Sequence, residues 1–142
     1  MNSSSTINVT GSLIFNYQNS GGSEGNNEID LNGTCTLNVT QNVVFTHAGG
    51  NNFHCNLDNS AQFTIGGTFG LTQSGGDNAK VTLGVNCLLQ CTGNMTFLKS
   101  GGNLDLDISQ SGNSNLTTGG NIALTSTLAN AVIDVSCSGN IN

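Results

Sequence analysis

Gly pairs fall at positions 21–22, 49–50, 75–76 and 101–102, and the residues around them repeat. Aligned on this spacing, five segments share one pattern: 7–15, 37–45, 63–71, 89–97 and 116–124, at offsets of 30, 26, 26 and 27. Apolar residues hold the first, third, seventh and ninth places of every segment, with Thr118 the one polar exception. Each half alternates with period two, as a half-buried strand does, and the Gly- and polar-rich middle reads as a corner. A third strand completes each repeat, with apolar positions at Ile29/Leu31, Cys55/Leu57, Val81/Leu83, Leu106/Ile108 and Ile133/Val135.

A three-strand repeat of this length cannot bury its own apolar face. Stacking the repeats makes one continuous core, which is the logic of a solenoid. The expectation is therefore all-β: a single parallel β-helix (β-solenoid) over residues 1–142, of about five coils with three short strands each. The coils are expected at 7–34, 35–61, 62–87, 88–112 and 113–142. Successive coils would pair about 4.8 Å apart, so equivalent residues form ladders along the axis. Two expected core ladders are Phe15, Phe45, Leu71, Phe97, Leu124 and Leu13, Val43, Phe69, Met95, Ile122; a corner ladder runs Ser12, Asn42, Thr68, Asn94, Asn121. An antiparallel sandwich has the same turn-rich composition, but it gives no reason for the same residue type to return at the same place in each repeat.

Composition agrees. Asn, Ser and Thr number 23, 15 and 16, and with 20 Gly they make 74 of 142 residues. Pro is absent, as expected where strand residues must donate to a neighbouring coil. Two Lys+Arg cannot supply the basic footprint of a nucleic-acid binder. The longest apolar runs are three or four residues, far below a membrane span. The first residues, Met1-Asn2-Ser3-Ser4-Ser5-Thr6, lack the basic and apolar regions of a secretory signal.

The run Gly119-Gly120-Asn121-Ile122-Ala123-Leu124 and the stretch Val135-Ser136-Cys137-Ser138-Gly139-Asn140-Ile141 resemble the G-N-I-x-L rungs of filamentous-haemagglutinin and autotransporter-type β-helix adhesins. The resemblance implies a right-handed, secreted, surface-associated β-helix. It carries over no functional residues.

The ends of the repeat array carry the strongest functional clue. No capping helix is legible before Ile7, and Ile141-Asn142 returns to the register of Ile7-Asn8 and Leu37-Asn38. Uncapped solenoid ends are complementary, and a heterologous head-to-tail contact that does not close a ring builds a fibre. The expected interface residues are Ile7, Val9, Leu13 and Phe15 at one end and Ile133, Val135 and Ile141 at the other. The expected partner is the chain itself, as a head-to-tail homopolymer, with no membrane insertion and no nucleic acid. The expected location is extracellular or at a cell surface, or in a virion. The alternative is a glycan- or surface-binding adhesin or tail-fibre segment, in trimeric form or not. An ice-binding array would need more Thr-x-Thr than Thr34-Cys35-Thr36 and Thr125-Ser126-Thr127 supply.

Little points to catalysis, and the chain is expected to be no enzyme and to take no cofactor or metal. The cations are Lys80 and Lys99, with no Arg to stabilise an oxyanion. Asp30, Asp107 and Asp134 are expected to share an outward column broken by Asn56 and Thr82, a solvated face more than a calcium site. His47 and His54 flank a Gly-Gly turn, short of ligands for a metal. Of the five cysteines, Cys55 and Cys91 fall in core columns as small hydrophobes. Cys35 and Cys87 share a corner column, Cys87 and Cys91 could pair around one corner, and Cys137 could bridge copies. Six N-x-S/T sequons begin at Asn2, Asn8, Asn32, Asn38, Asn94 and Asn115; a chain this rich in Asn, Ser and Thr generates several by chance.

Overall fold

The computed structural model describes residues 1, 3–18, 27–49, 53–75, 79–101, 106–128, 133–137 and 140–142. In chain order the strands are β1 (Thr6–Val9), β2 (Leu13–Tyr17), β3 (Asn27–Asn32), β4 (Thr36–Val39), β5 (Val43–Ala48), β6 (Phe53–Asp58), β7 (Gln62–Ile65) and β8 (Phe69–Gly75). They continue as β9 (Ala79–Leu83), β10 (Leu88–Cys91), β11 (Met95–Lys99), β12 (Leu106–Gln110), β13 (Asn115–Thr118), β14 (Ile122–Ser126), β15 (Ile133–Cys137) and β16 (Asn140–Ile141).

Every third strand pairs in parallel, which makes three faces. The first stacks β1-β4-β7-β10-β13-β16, the second β2-β5-β8-β11-β14 and the third β3-β6-β9-β12-β15. The fold is the parallel β-solenoid that the repeat predicts. The expected number of coils is slightly high. Five strands on the second and third faces leave four steps between them, so the chain makes about four turns, and the two-residue β16 adds a rung to the first face only.

The core lies between the faces. Phe15, Phe45, Leu71, Phe97 and Leu124 occupy one ladder, and Leu13, Val43, Phe69, Met95 and Ile122 another, as the repeat predicts. Aromatic rings meet along and across these ladders: Phe15 and Phe45 at 5.4 Å, Phe45 and Phe69 at 5.6 Å, Phe69 and Phe97 at 5.6 Å, Phe45 and Phe53 at 4.9 Å. These separations suit tilted and edge contacts, which add to the burial of apolar area.

The corners are ladders too. The Asn42 side-chain oxygen accepts from the Thr68 N–H at 2.9 Å, and that of Asn94 from the Asn121 N–H at 2.9 Å. Ser12 closes the N-terminal end of this stack, its hydroxyl accepting from the Asn42 N–H at 3.4 Å. Each corner amide thus satisfies a backbone group in the next coil that no strand ladder reaches. Beside this stack runs Thr40, Gly66, Thr92, Gly119. A Cβ at Gly66 would fall on the Thr40 carbonyl oxygen, and one at Gly119 on the Thr92 carbonyl oxygen. Glycine is required there by close approach of two coils.

The corner before the first face is built from small buried residues: Cys35, Ala61, Cys87 and Ser114, each at most 1% exposed. Gly33 opens this corner in the first turn at φ +80, with the Ser3 backbone packed against it. The Cys35 thiol donates to the Ser3 carbonyl at 2.6 Å, and the Ser114 hydroxyl donates to the carbonyls of Gly84 and, at 2.6 Å, Ser111.

The third face corrects one expected register. Asn27, Phe53, Ala79, Leu106 and Ile133 form one column, and Ile29, Cys55, Val81, Ile108 and Val135 the next. The last two coils are therefore offset by two residues from the expected alignment. A slip of two keeps every side chain on the same face, so alternation alone cannot detect it. In consequence Asp30 does not share a column with Asp107 and Asp134. Asp107 pairs with Lys80, in the column of Glu28 and His54, while Asp30 aligns with Asn56, Thr82, Ser109 and Ser136.

Candidate functional site: the two ends of the solenoid

The interior of the solenoid is closed and its ends are open. Leu37, Val43 and Phe45 are 6%, 0% and 1% exposed. Their ladder partners one rung towards the N-terminal end are far more open, with Ile7 at 45% and Phe15 at 42%. Val9 and Leu13 are half-buried and pack on the core from the same coil. Together with Met1, Ile29 and Leu31 these side chains line a concavity of about 320 Å³ that opens along the axis. Its lining is the first coil's share of the core ladders.

At the other end Leu124 and Ile141 are each 43% exposed, against 0% for Phe97, the rung inside Leu124, and 1% for Leu116, the rung inside Ile141. Of the expected C-terminal interface residues, Ile133 and Val135 lie on β15, the last strand of the third face; their side chains lie outside the described residues. Ile141 stacks on Leu116 in the column Ile7, Leu37, Phe63, Leu89, Leu116, so its expected register holds. The expected interface residues thus fall into two groups at opposite ends of one molecule.

Two edge contacts were not expected from the sequence. Met1 lies along β3: its amino group donates to the Asp30 carbonyl at 2.6 Å, and its own carbonyl accepts from the Asn32 N–H at 2.9 Å. At the far end the Asn140 N–H donates to the Ser114 carbonyl at 3.1 Å and the Asn142 N–H to the Leu116 carbonyl at 3.0 Å, while the Thr118 N–H donates to the Asn142 carbonyl at 2.9 Å. The return of Ile141-Asn142 to the strand register was a signal for the second contact. Nothing in Met1 itself announces the first.

The sides of the solenoid differ in charge. Among the described residues, every side-chain charge except that of Lys99 belongs to a third-face strand: Glu28, Asp30, Asp58, Lys80, Asp107 and Asp134. The outward positions of the first face carry Thr, Asn and Gln, with Leu88 the one apolar member, and include amide contacts in which Asn38 donates to Asn8 at 2.9 Å and Asn140 to Asn115 at 3.2 Å.

The candidates for chemistry lie apart. His47 is fully buried on the second face and stacks on Tyr17, ring centroids 5.8 Å apart, whereas His54 sits on the outer side of the third face. No group of three metal-ligating side chains occurs among the described residues. Cys35, Cys55, Cys87 and Cys91 are all free, buried thiols, so the possible Cys87–Cys91 pairing is not realised. Cys55 and Cys91 are the small core residues that their columns predict, at 0% and 1% exposure. Burial pushes the Cys55 thiol up to about 12 and raises that of Cys87 as well. Cys137 lies outside the residues whose side chains are described.

One feature was overlooked in the sequence. Tyr17, His47, Gln73, Lys99 and Ser126 form a single inward column on the second face, and His47, Gln73 and Lys99 are buried to 2% exposure or less. The signal was present, because each lies two residues after an apolar ladder member and so must point inward.

No family model, curated protein or solved structure matches this chain.

Proposed function

We propose that this chain is a structural subunit that stacks head to tail, by coil-to-coil strand pairing, into an extracellular filament or appendage. One observation carries the reading. Ladder residues buried in the middle of the solenoid, such as Phe45 and Phe97, have exposed apolar equivalents at both ends, Phe15 and Leu124, in the same column. A second copy placed end on continues each ladder and covers both sets at once. Strand addition supplies backbone hydrogen bonds, and the apolar columns fix the register. Among the described residues the first- and second-face strands carry no side-chain charge but that of Lys99, so those two faces stack without repulsion, while on the third face Glu28 would meet Asp134 of the neighbouring copy.

The test is sedimentation velocity from low to high concentration, followed by electron microscopy of the fastest fraction. Growing, polydisperse species resolved as thin filaments are the expected outcome.

A second reading has an observation of its own. The uncharged outer side of the first face, Thr, Asn and Gln interrupted by Leu88, suits a neutral glycan, which is bound through hydroxyl–amide hydrogen bonds and apolar contact with a sugar ring. A chain that stays discrete and binds a neutral glycan in an array screen would move this adhesin-like role ahead of the filament.

A further inference from the structure

The outer edge of β13 has two candidate occupants. β16 holds it within the molecule, and the ladder that leads to it begins with β1. We propose that in the assembled fibre β1 of the following copy takes the place of β16 on β13, so that residues 140–142 act as a built-in brake which the incoming strand displaces. This inference rests on the head-to-tail reading.

The backbone phase carries the argument. β13 presents the carbonyls of Ser114 and Leu116 and the N–H of Thr118 on its outer edge, and Asn140 and Asn142 meet them. In β1 the Ser5 and Val9 carbonyls face inward and accept from Thr36 and Thr40 at 2.8 and 3.0 Å. Alternate residues of a strand turn their backbone groups to opposite sides, so Thr6 and Asn8 face outward, away from β4. The outward groups of β1 are therefore in phase with the edge of β13. By the column that runs from Ile7 through Leu116 to Ile141, Thr6 would stand where Asn140 stands, Ile7 where Ile141 stands and Asn8 over Thr117.

β1 leads into β2, so exchange brings Leu13 and Phe15 onto Ile122 and Leu124 and buries Phe15 and Leu124, which are now exposed. If β16 stayed in place, the first face would be one rung deeper than the second at this end. A copy stacked on β16 would then leave a strand-wide gap between β14 and the next β2, with unpaired backbone on both sides.

The two geometries predict different filaments. Exchange repeats every five rungs, an axial rise of about 24 Å, and stacking on β16 repeats every six, about 29 Å. Helical reconstruction of the wild-type filament decides between them: about 24 Å is expected, and about 29 Å overturns the proposal. Asn140→Pro removes the N–H that β16 donates to Ser114 and the side-chain amide that donates to Asn115, and should speed elongation at least about fivefold, the change expected when one net hydrogen bond is lost from the brake. An unchanged or slower rate overturns the proposal. Asn8→Pro removes an outward N–H that β4 does not use, so the subunit should keep its fold by circular dichroism and lose elongation. Elongation of Asn8→Pro at the wild-type rate also overturns it. Wild-type protein that forms no filament at any concentration overturns the head-to-tail reading, and this inference with it.

Discussion

Ile141 stacks on Leu116 one rung beyond the column that starts at Ile7, so the two ends of the chain lie in the same ladder, at opposite ends of the molecule. A ladder of identical geometry at both ends is self-complementary by translation along the axis. The proposed fibre uses that relationship, because translation and rotation about one axis do not close a ring.

The first prediction separates stability from assembly along one column. Phe45 is 1% exposed and touches the rings of Phe15, Phe53 and Phe69. Phe45→Ala should cost about 3–5 kcal/mol of unfolding free energy, measured by urea denaturation of the unassembled chain. Phe15 is 42% exposed, and Phe15→Ala should cost the unassembled chain distinctly less while raising the critical concentration for assembly. Equal losses of stability in the two variants would contradict the open-ended core.

The repeat made the fold legible because period-two alternation and a fixed spacing both survive small changes of register. The ladders through Phe15 and Leu13 could be written down from the residues alone. The third face resisted for the same reason: a two-residue slip at Leu106 and Ile133 preserves alternation, and only the backbone pairing of Asp107 with Lys80 reveals it. The end residues were legible as positions, since Ile7 and Ile141 keep the column. The edge contact of Met1 was not, because backbone hydrogen bonds leave little trace in residue type.

Corner packing yields a second prediction. Gly66→Ala should destabilise the subunit by about 1–3 kcal/mol, because the added methyl meets the Thr40 carbonyl rather than a side chain that could move aside. Gly70→Ala, where the nearest atom to a new Cβ is 3.9 Å away, should be tolerated within about 0.5 kcal/mol. Thermal melts of the two variants make the comparison.

Alkaline pH provides a third. The Cys55 thiol is raised from its ordinary value of 9.0 to about 12 by burial. A raised acid contributes stability that is fully present below the unfolded value and is lost as pH climbs towards the folded one. Between pH 9 and 12 this group should therefore lower stability by up to about 1.4 kcal/mol per pH unit. Cys55→Val, which matches the neighbouring Val81 in its column, should make the alkaline decline shallower. An unaltered slope in urea titrations across that range would show that Cys55 does not ionise on unfolding.

The central claim is that the open ends of this solenoid meet one another. Cryo-electron microscopy of the purified protein, taken from dilute to concentrated, tests it most directly. The account predicts unbranched filaments one solenoid wide whose power spectrum carries a layer line at about 4.8 Å, the strand spacing running unbroken along the axis. Uniform, discrete particles at every concentration would contradict it.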